Sequence, residues 1–175
     1  MSDARSLGAA APGSESWDDL ARAAGNVESE DERQEDIRQL LTFEVGSTPY
    51  AVPVERVREI VRIRPITPIP RVPDDVRGVI SLRGEIVEVV DLRRRLNLEP
   101  TDPVRSTRII VVLGEDGKVA GILVDAVCEV SRVSEDEIRP VSSAETGAVE
   151  SLCVRGEEFV SLIDLDRILQ INAES

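Results

Sequence analysis

The chain contains no histidine among its 175 residues. Histidine is the commonest general base and the commonest metal ligand, so its absence removes both kinds of site at once. Serine side chains have no imidazole to activate them. No Gly-rich phosphate loop of the GxGxxG or GxxxxGK[ST] type follows a predicted strand. The sequence therefore predicts no catalytic residue, no cofactor and no metal site.

Aromatic residues are scarce, at 2% of the chain, and 34 acidic side chains outnumber 21 basic ones. The formal net charge of −13 and the lack of stacking rings argue against a nucleic-acid binding surface. There is no basic patch for an anionic membrane, and no apolar window approaches the length of a membrane span. We expect a soluble, cytoplasmic protein that binds neither nucleic acid nor membrane directly.

Cysteine is also rare. Cys128 and Cys153 lie in separate apolar runs without CxxC spacing. Two buried thiols in a reducing cytosol are the favoured interpretation, and the sequence leaves open whether the two residues approach each other.

Residues 1–36 differ in composition from the rest, with ten acidic and three basic side chains and few large apolar groups. Low hydrophobicity combined with high charge predicts a disordered acidic extension. Within it, Ser16 could cap a short helix that places Trp17 and Leu20 on one face. Two interpretations remain open: a transient helix without a partner, and a docking peptide that folds on binding.

Residues 37–175 contain the same pair of motifs twice. The first copy reads VERVREIV from residue 54 and LRGEIVEVVDL from residue 82, and the second reads VDAVCEV from residue 124 and VRGEEFVSLIDL from residue 154. The offset is 70 residues between Val54 and Val124, 72 between Arg83 and Arg155, and 73 between Asp91 and Asp164. A solenoid needs three or more repeats, so two copies indicate a pseudo-symmetric pair of lobes.

Short strands rich in Val, Ile and Leu, separated by frequent turns, indicate small β-barrels. A helical turn is predicted from Val54 into a strand, and another over residues 73–77, ended by Gly78. Asp91 and Asp164 follow strands in both copies, which predicts helix N-caps and not a catalytic carboxylate pair.

Arg83 has two interpretations. It could be a plain turn residue, an interpretation that Arg155 at the equivalent place in the second copy supports. Alternatively, a rigid hairpin lets its guanidinium fork onto a carboxylate through two hydrogen bonds, here onto Glu59. Residues 78–81 have no close counterpart in the second copy, which favours a specific role for Arg83.

These residues carry a resemblance to a known family. The run RGVISLRGEIVEVVDLR, from residue 77 to residue 93, resembles the signature of the CheW family of chemotaxis coupling proteins. Ser81 stands where the usual form has Asn, and Glu88 where it often has Pro. The similarity extends through residues 66–70, 121–125 and 162–166 and covers about residues 38–171.

The resemblance implies a mainly β fold of two SH3-like five-stranded β-barrel lobes around a shared hydrophobic core, with short helices. It implies a non-enzymatic adaptor that links the cytoplasmic tips of chemoreceptors (methyl-accepting proteins) to a CheA-type histidine kinase, whose regulatory domain has the same fold. Such an adaptor is recruited to membrane receptor arrays. The alternative is a stand-alone CheW-like regulatory module that binds the kinase without receptors, in a motility or developmental pathway.

The same resemblance assigns residues to two surfaces. The positions that match the kinase-facing apolar patch are Leu41, Val54 and Val57. Those that match the receptor-facing groove between the lobes are Glu59, Gly78, Arg83, Gly84, Gly121 and Val127, with Glu59 placed to pair with Arg83.

Overall fold

Eleven short strands form most of the part of the chain that the structure describes. This computed structural model describes residues 36–142 and 147–170. The predicted acidic extension, apart from its last residue, and Trp17 lie outside the described residues. The strands are β1 (Ile37–Val45), β2 (Thr48–Pro53), β3 (Val57–Arg62), β4 (Val76–Leu82), β5 (Glu85–Asp91), β6 (Arg108–Leu113), β7 (Val119–Val124), β8 (Ala126–Ser134), β9 (Ile138–Pro140), β10 (Val149–Arg155) and β11 (Glu158–Ile163).

The strands form two sheets, which define two lobes. Lobe 1 has the strand order β8-β1-β2-β11-β10-β9, and lobe 2 has the order β3-β6-β7-β5-β4. Two short helices, α1 (Leu92–Arg95) and α2 (Leu165–Gln170), follow β5 and β11. The mainly β fold with two lobes and short helices is confirmed. Lobe 1 has one strand more than predicted, because the short strand β9 pairs with β10.

The two sequence copies exchange strands between the lobes. The first copy supplies β1 and β2 to lobe 1, and β3, β4 and β5 to lobe 2. The second copy supplies β6 and β7 to lobe 2, and the strands from β8 onward to lobe 1. Each lobe is therefore built from both copies, so a copy of the repeat is not a lobe.

The pairing registers of the two lobes correspond residue by residue. Leu41 pairs with Val52 in lobe 1 as Ile110 pairs with Ile122 in lobe 2. Further along, the pair Ile80–Val87 in lobe 2 matches the pair Cys153–Val160 in lobe 1. Register shifts occur at matching places in β4 and β10. Each lobe also contains one parallel pair, β5 with β7 and β11 with β2. The duplication is therefore visible in the backbone as well as in the sequence.

Three apolar clusters account for the packing. A large cluster takes buried residues from both sheets and both helices, namely Leu41, Phe43, Val45, Val52, Val90, Leu92, Ile110, Val112, Ala120, Ile122, Val124, Ile163, Leu165, Ile168 and Leu169. A second fills lobe 2, with Val61, Ile80, Leu82, Val87, Val89, Ile109, Val111 and Leu123. A third fills lobe 1, with Leu40, Ala51, Val133, Cys153 and Leu162. The large cluster confirms the predicted shared core.

Contacts between the two ends of the sheet, one at β3 and the other at the β4–β5 hairpin, close lobe 2 into a barrel. Strands β3 and β4 lie at opposite edges of the sheet. Arg58 in β3 nevertheless pairs with Glu85 of the β4–β5 hairpin at 2.9 Å. Arg64, just after β3, donates to the carbonyl of Ser81 at 3.3 Å. These cross-edge bonds require a curled sheet, as expected for an SH3-like lobe.

Most local predictions are confirmed. Val54–Arg56 forms one 3-10 turn that leads into β3. The carboxylate of Asp91 accepts the backbone N–H of Arg93, and that of Asp164 accepts the N–H of Arg167, each at 3.0 Å. Both aspartates are therefore caps.

The single turn predicted over residues 73–77 is present but ends earlier than predicted. The N–H of Val76 donates to the carbonyl of Pro73 at 3.0 Å, which closes a single turn. Val76 is already the first residue of β4, where it pairs with Val90 and is buried. Strand pairing thus overrides the local helical signal at this position.

Candidate interaction surfaces

Arg83 lies at the tip of the β4–β5 hairpin. Its φ is 51° and that of Gly84 is 82°, and positive values at both central residues are typical of a type I′ turn. This turn matches the twist of the flanking strands and gives a rigid hairpin. The side chain of Arg83 is 79% exposed. The fold therefore presents a guanidinium to solvent at a fixed place.

Arg83 pairs with Glu59, as the sequence predicted. One guanidinium nitrogen (Nη2) donates to Oε2 of Glu59 at 3.4 Å. The contact is single and long, so the predicted fork of two bonds is not formed. An exposed pair of this kind contributes about 0–1 kcal/mol to stability. Arg83 has no other hydrogen bond among the described residues, which leaves most of its donors available to a partner.

The expected equivalence of Arg83 and Arg155 is wrong. Arg155 is the last residue of β10 and pairs with Glu158, as Leu82 pairs with Glu85. In the second hairpin only Gly156 has a positive φ, which fits a type II′ turn instead of type I′. Gly156 consequently occupies the place of Arg83. Of the two hairpins, only that of lobe 2 carries an arginine at its tip.

Two exposed isoleucines lie on the same elements as the Arg83–Glu59 pair. Ile86, at the start of β5, is 70% exposed, and Ile60, in β3, is 41% exposed. We call Glu59, Arg83 and Gly84 the Arg83 surface. The isoleucines were missed from the sequence, although each precedes a buried valine and strand alternation therefore places it on the opposite face.

The predicted kinase-facing patch is only partly at the surface. Val54 and Val57 are half-buried and pack against the shared core, and Val57 begins the edge strand β3. Leu41 is only 4% exposed, because β1 lies between β8 and β2 and this side chain faces the shared core. The expectation that Leu41 is an exposed anchor is therefore wrong.

Two glycines of the predicted receptor groove are buried. Gly78 has a φ of 135°, and a Cβ there would lie 2.1 Å from the carbonyl oxygen of Thr67. A Cβ on Gly121 would lie 2.7 Å from Cγ2 of Ile109, inside lobe 2. Both positions permit close packing within lobe 2, and the assignment of these glycines to a receptor-facing groove stays a prediction.

Val127 belongs to lobe 1, whereas the Arg83 surface belongs to lobe 2. It is half-buried at the start of β8 in lobe 1, where it packs against the shared core. By the offset of 70 residues it is the counterpart of Val57. Each lobe therefore presents a half-buried valine at the start of an edge strand.

Two arginine–aspartate pairs, missed from the sequence, attach the helices to the strands. Arg93 in α1 donates to Asp125 from Nε at 3.0 Å, and the N–H of Gly46 donates to the same carboxylate at 2.7 Å. Arg56 binds Asp166 in α2 from two nitrogens, at 2.8 and 3.3 Å. Each partner is distant in sequence, so spacing could not reveal these pairs.

These contacts shift the pKa of both carboxyl groups. Partial burial by itself would raise the pKa of Asp125, but the hydrogen bonds from Arg93 and Gly46 outweigh it and hold this pKa below its usual value. The hydrogen bond from Arg56 is the main cause of the lowered pKa of Asp166. Both aspartates are therefore ionised at neutral pH and serve as structural ion pairs.

Both thiols are free. Cys153 is buried and Cys128 is exposed, so the expectation of two buried thiols is wrong for Cys128. Desolvation raises the pKa of each thiol. Across residues 36–142 and 147–170, no three His, Cys, Asp or Glu side chains are grouped so as to hold a metal ion. Within those same ranges no helix has the length and apolarity to cross a membrane.

Paired SH3-like barrels with exposed charged and apolar patches define an adaptor-type module. The family model of the CheW-like domain matches residues 39–173. The chain therefore belongs to the CheW family of chemotaxis coupling and scaffold proteins.

Curated relatives and a solved structure agree with this assignment. The chemotaxis protein CheW of Rhizobium meliloti is 34% identical over 136 residues, which covers 75% of this chain and 86% of the relative. Protein FrzA of Myxococcus xanthus is 32% identical over 139 residues, with 76% and 86% covered. The crystal structure of the scaffolding protein TtCheW from Thermoanaerobacter tengcongensis matches with a TM-score of 0.72 at 31% identity, covering 78% of this chain and 95% of that one.

Proposed function

We propose that this protein couples chemoreceptors to a CheA-type histidine kinase at the cytoplasmic face of a receptor array. In this proposal it acts without catalysis, by binding both partners at once. The Arg83 surface binds the receptor tip, with Gly78 and Gly121 supporting it from within and Val127 contributing from lobe 1. Val54 and Val57 bind the regulatory domain of the kinase.

The observation that supports this proposal best is the exposed Arg83. The hairpin turn fixes the backbone at this residue. One long hydrogen bond to Glu59 orients the side chain and, among the described residues, leaves its other donors without a partner. Arginine is among the residue types enriched at the centres of protein interfaces. The matching hairpin of lobe 1 lacks this arginine, so the feature is not a general requirement of the barrel.

Reversal of this charge tests the receptor side of the proposal. We expect Arg83→Glu to reduce receptor-stimulated kinase activity at least about tenfold, because a misplaced like charge costs several kcal/mol at an interface. Phosphorylation of the kinase is measured in a reconstituted mixture of receptor-containing membranes, kinase and adaptor. Arg83→Gln removes the charge without placing a second carboxylate beside Glu59.

Arg139→Glu in β9 is the matched control, since this arginine is exposed and has no ion pair in the described part of the chain. It should retain full stimulation, and thermal melts should show that all three variants fold. Stimulation retained by folded Arg83→Glu would contradict the proposed receptor site.

A further inference from the structure

The interior of lobe 1 is smaller and more polar than that of lobe 2 at matching positions. The registers equate Ile80 with Cys153, Leu82 with Arg155, and Val111 with Thr42. The 70-residue offset of the repeat equates Val61 with Ser131. The lobe 2 residue of each pair is buried in the apolar interior. In lobe 1 the same four places hold a hydroxyl, a thiol, a guanidinium and a second hydroxyl.

A cavity of about 170 Å³ results in lobe 1. Its lining includes Leu40, Thr42, Ser131, Val133, Cys153 and Val160, with Cys128, Glu129, Arg155 and Glu158 nearer the surface. The lining residues Leu40, Val133 and Cys153 are buried, whereas Glu129, Arg155 and Glu158 are exposed. The cavity thus has walls of apolar side chains interrupted by the hydroxyls of Thr42 and Ser131 and the thiol of Cys153, and a charged mouth that reaches solvent.

This space is a pocket open to solvent, with a volume sufficient for a small ligand. An apolar cavity of about 150 Å³ is known to accept a molecule the size of benzene. The mouth carries two carboxylates and one guanidinium, so its net charge is negative. A ligand with an apolar body and a positive end would satisfy both the walls and the mouth.

We propose that the lobe 1 cavity binds a small organic cation, with a single-ring body against Leu40 and Val133 and an ammonium group beside Glu129 and Glu158. This site is independent of the Arg83 surface, which lies on lobe 2. Its occupation would fill the interior of a barrel that the sequence leaves incompletely packed.

Benzylamine, benzyl alcohol and benzoate form a matched set of probes, because they share a ring and differ in charge. Titrations of the methyl-labelled full chain are followed by nuclear magnetic resonance at pH 7. We expect saturable shifts of the Leu40, Val133 and Val160 methyl signals with benzylamine, at least about fivefold weaker binding of benzyl alcohol, and weaker binding still of benzoate. Absence of saturable shifts at these methyls overturns the site, and benzoate binding as tightly as benzylamine overturns its preference for cations.

The ammonium group could belong to a free small amine or to a lysine side chain of a partner protein. Titration with Nα-acetyl-lysine methylamide, which keeps the side-chain ammonium, separates these two sources. A ring fills more of the cavity than an aliphatic stem does, so we expect benzylamine to bind more tightly. The reverse order would overturn the assignment to a free ligand.

The matching residues of lobe 2 show which substitutions should fill the cavity. Ser131→Val and Cys153→Ile give lobe 1 approximately the lining of lobe 2, and together they should weaken benzylamine binding at least tenfold. Ser131→Val alone should weaken it less, and it keeps the test valid if the double variant does not fold. Thr48→Val, at an exposed position outside the cavity, is the control. Unchanged binding by folded Ser131→Val and Cys153→Ile variants would contradict the proposal.

Discussion

Asp125 shows how one side chain joins separate parts of the fold. Its backbone N–H donates to the carbonyl of Glu44 at 3.0 Å, and its carboxylate binds Arg93 and the N–H of Gly46. The residue thereby connects the junction of β7 and β8 to the β1–β2 turn and to α1. Asp166 and Arg56 make the corresponding connection for α2. In this second pair the helix carries the aspartate, whereas in the first pair the helix carries the arginine.

This arrangement predicts a pH dependence of stability. The folded-state pKa of Asp125 is lowered, while its unfolded value is about 3.9. The stabilisation is therefore fully present above about pH 4 and is lost as the pH falls through the folded-state pKa. We expect Asp125→Asn to lower the free energy of unfolding at pH 7 and to make its decline between about pH 5 and 2 shallower.

Urea unfolding at a series of pH values measures this effect. Glu157→Gln, in the exposed turn after β10, is the control, because Glu157 forms no ion pair in the described ranges. A decline in stability as steep in Asp125→Asn as in the unmodified chain would contradict the role given to this carboxylate.

At the scale of elements, the connector before β4 depends on one glycine. Thr67 and Val79 exchange two backbone hydrogen bonds of 2.9 Å, which bring the connector onto β4 directly beside Gly78. A methyl group at Gly78 would meet the Thr67 carbonyl oxygen at 2.1 Å. The connector could then no longer pair with β4.

Comparison of two glycines isolates this packing effect. Gly78 and Gly84 both have positive φ, but a Cβ on Gly84 would meet nothing within 4 Å. We expect Gly84→Ala to cost about 1 kcal/mol, from backbone strain alone. Gly78→Ala should cost at least ~2 kcal/mol, because a clash is added to the strain. Equal losses in urea unfolding would show that the close approach of the connector contributes nothing.

The elements also show which features could be predicted from the sequence. Strands and caps were predictable, because alternation and turn residues act locally. The Glu59–Arg83 pair was predictable from the family resemblance and not from spacing, because 24 residues separate the two side chains. The burial of Leu41 was not, because β1 is buried on both faces, by the lobe 1 interior on one side and the shared core on the other. The place of Arg155 was missed because two hairpins of similar sequence adopt different turn types.

At the scale of the whole molecule, the exchange of strands makes the two lobes interdependent. Strand β3 of the first copy pairs with β6 of the second, and β8 of the second copy joins β1 of the first in one sheet. Neither sequence copy contains a complete barrel. The shared core, which takes residues from both sheets, adds a second reason for the lobes to fold together.

Division of the chain between its two copies tests this dependence. We expect residues 37–101 and residues 102–175 each to lack protected amides when alone, because each fragment leaves sheet edges and core residues uncovered. The mixed fragments should recover a β-type circular dichroism spectrum and slow hydrogen exchange. A fragment that folds by itself would contradict the interlocked architecture.

The most direct test of the proposed coupling role is co-sedimentation of a CheA-type kinase with receptor-containing membranes. The account predicts that the kinase sediments only when this protein is present, that Arg83→Glu releases both protein and kinase from the membranes, and that Val57→Asp releases the kinase alone. If the protein binds the kinase but never sediments with receptors, it is a stand-alone regulatory module and the coupling account is contradicted.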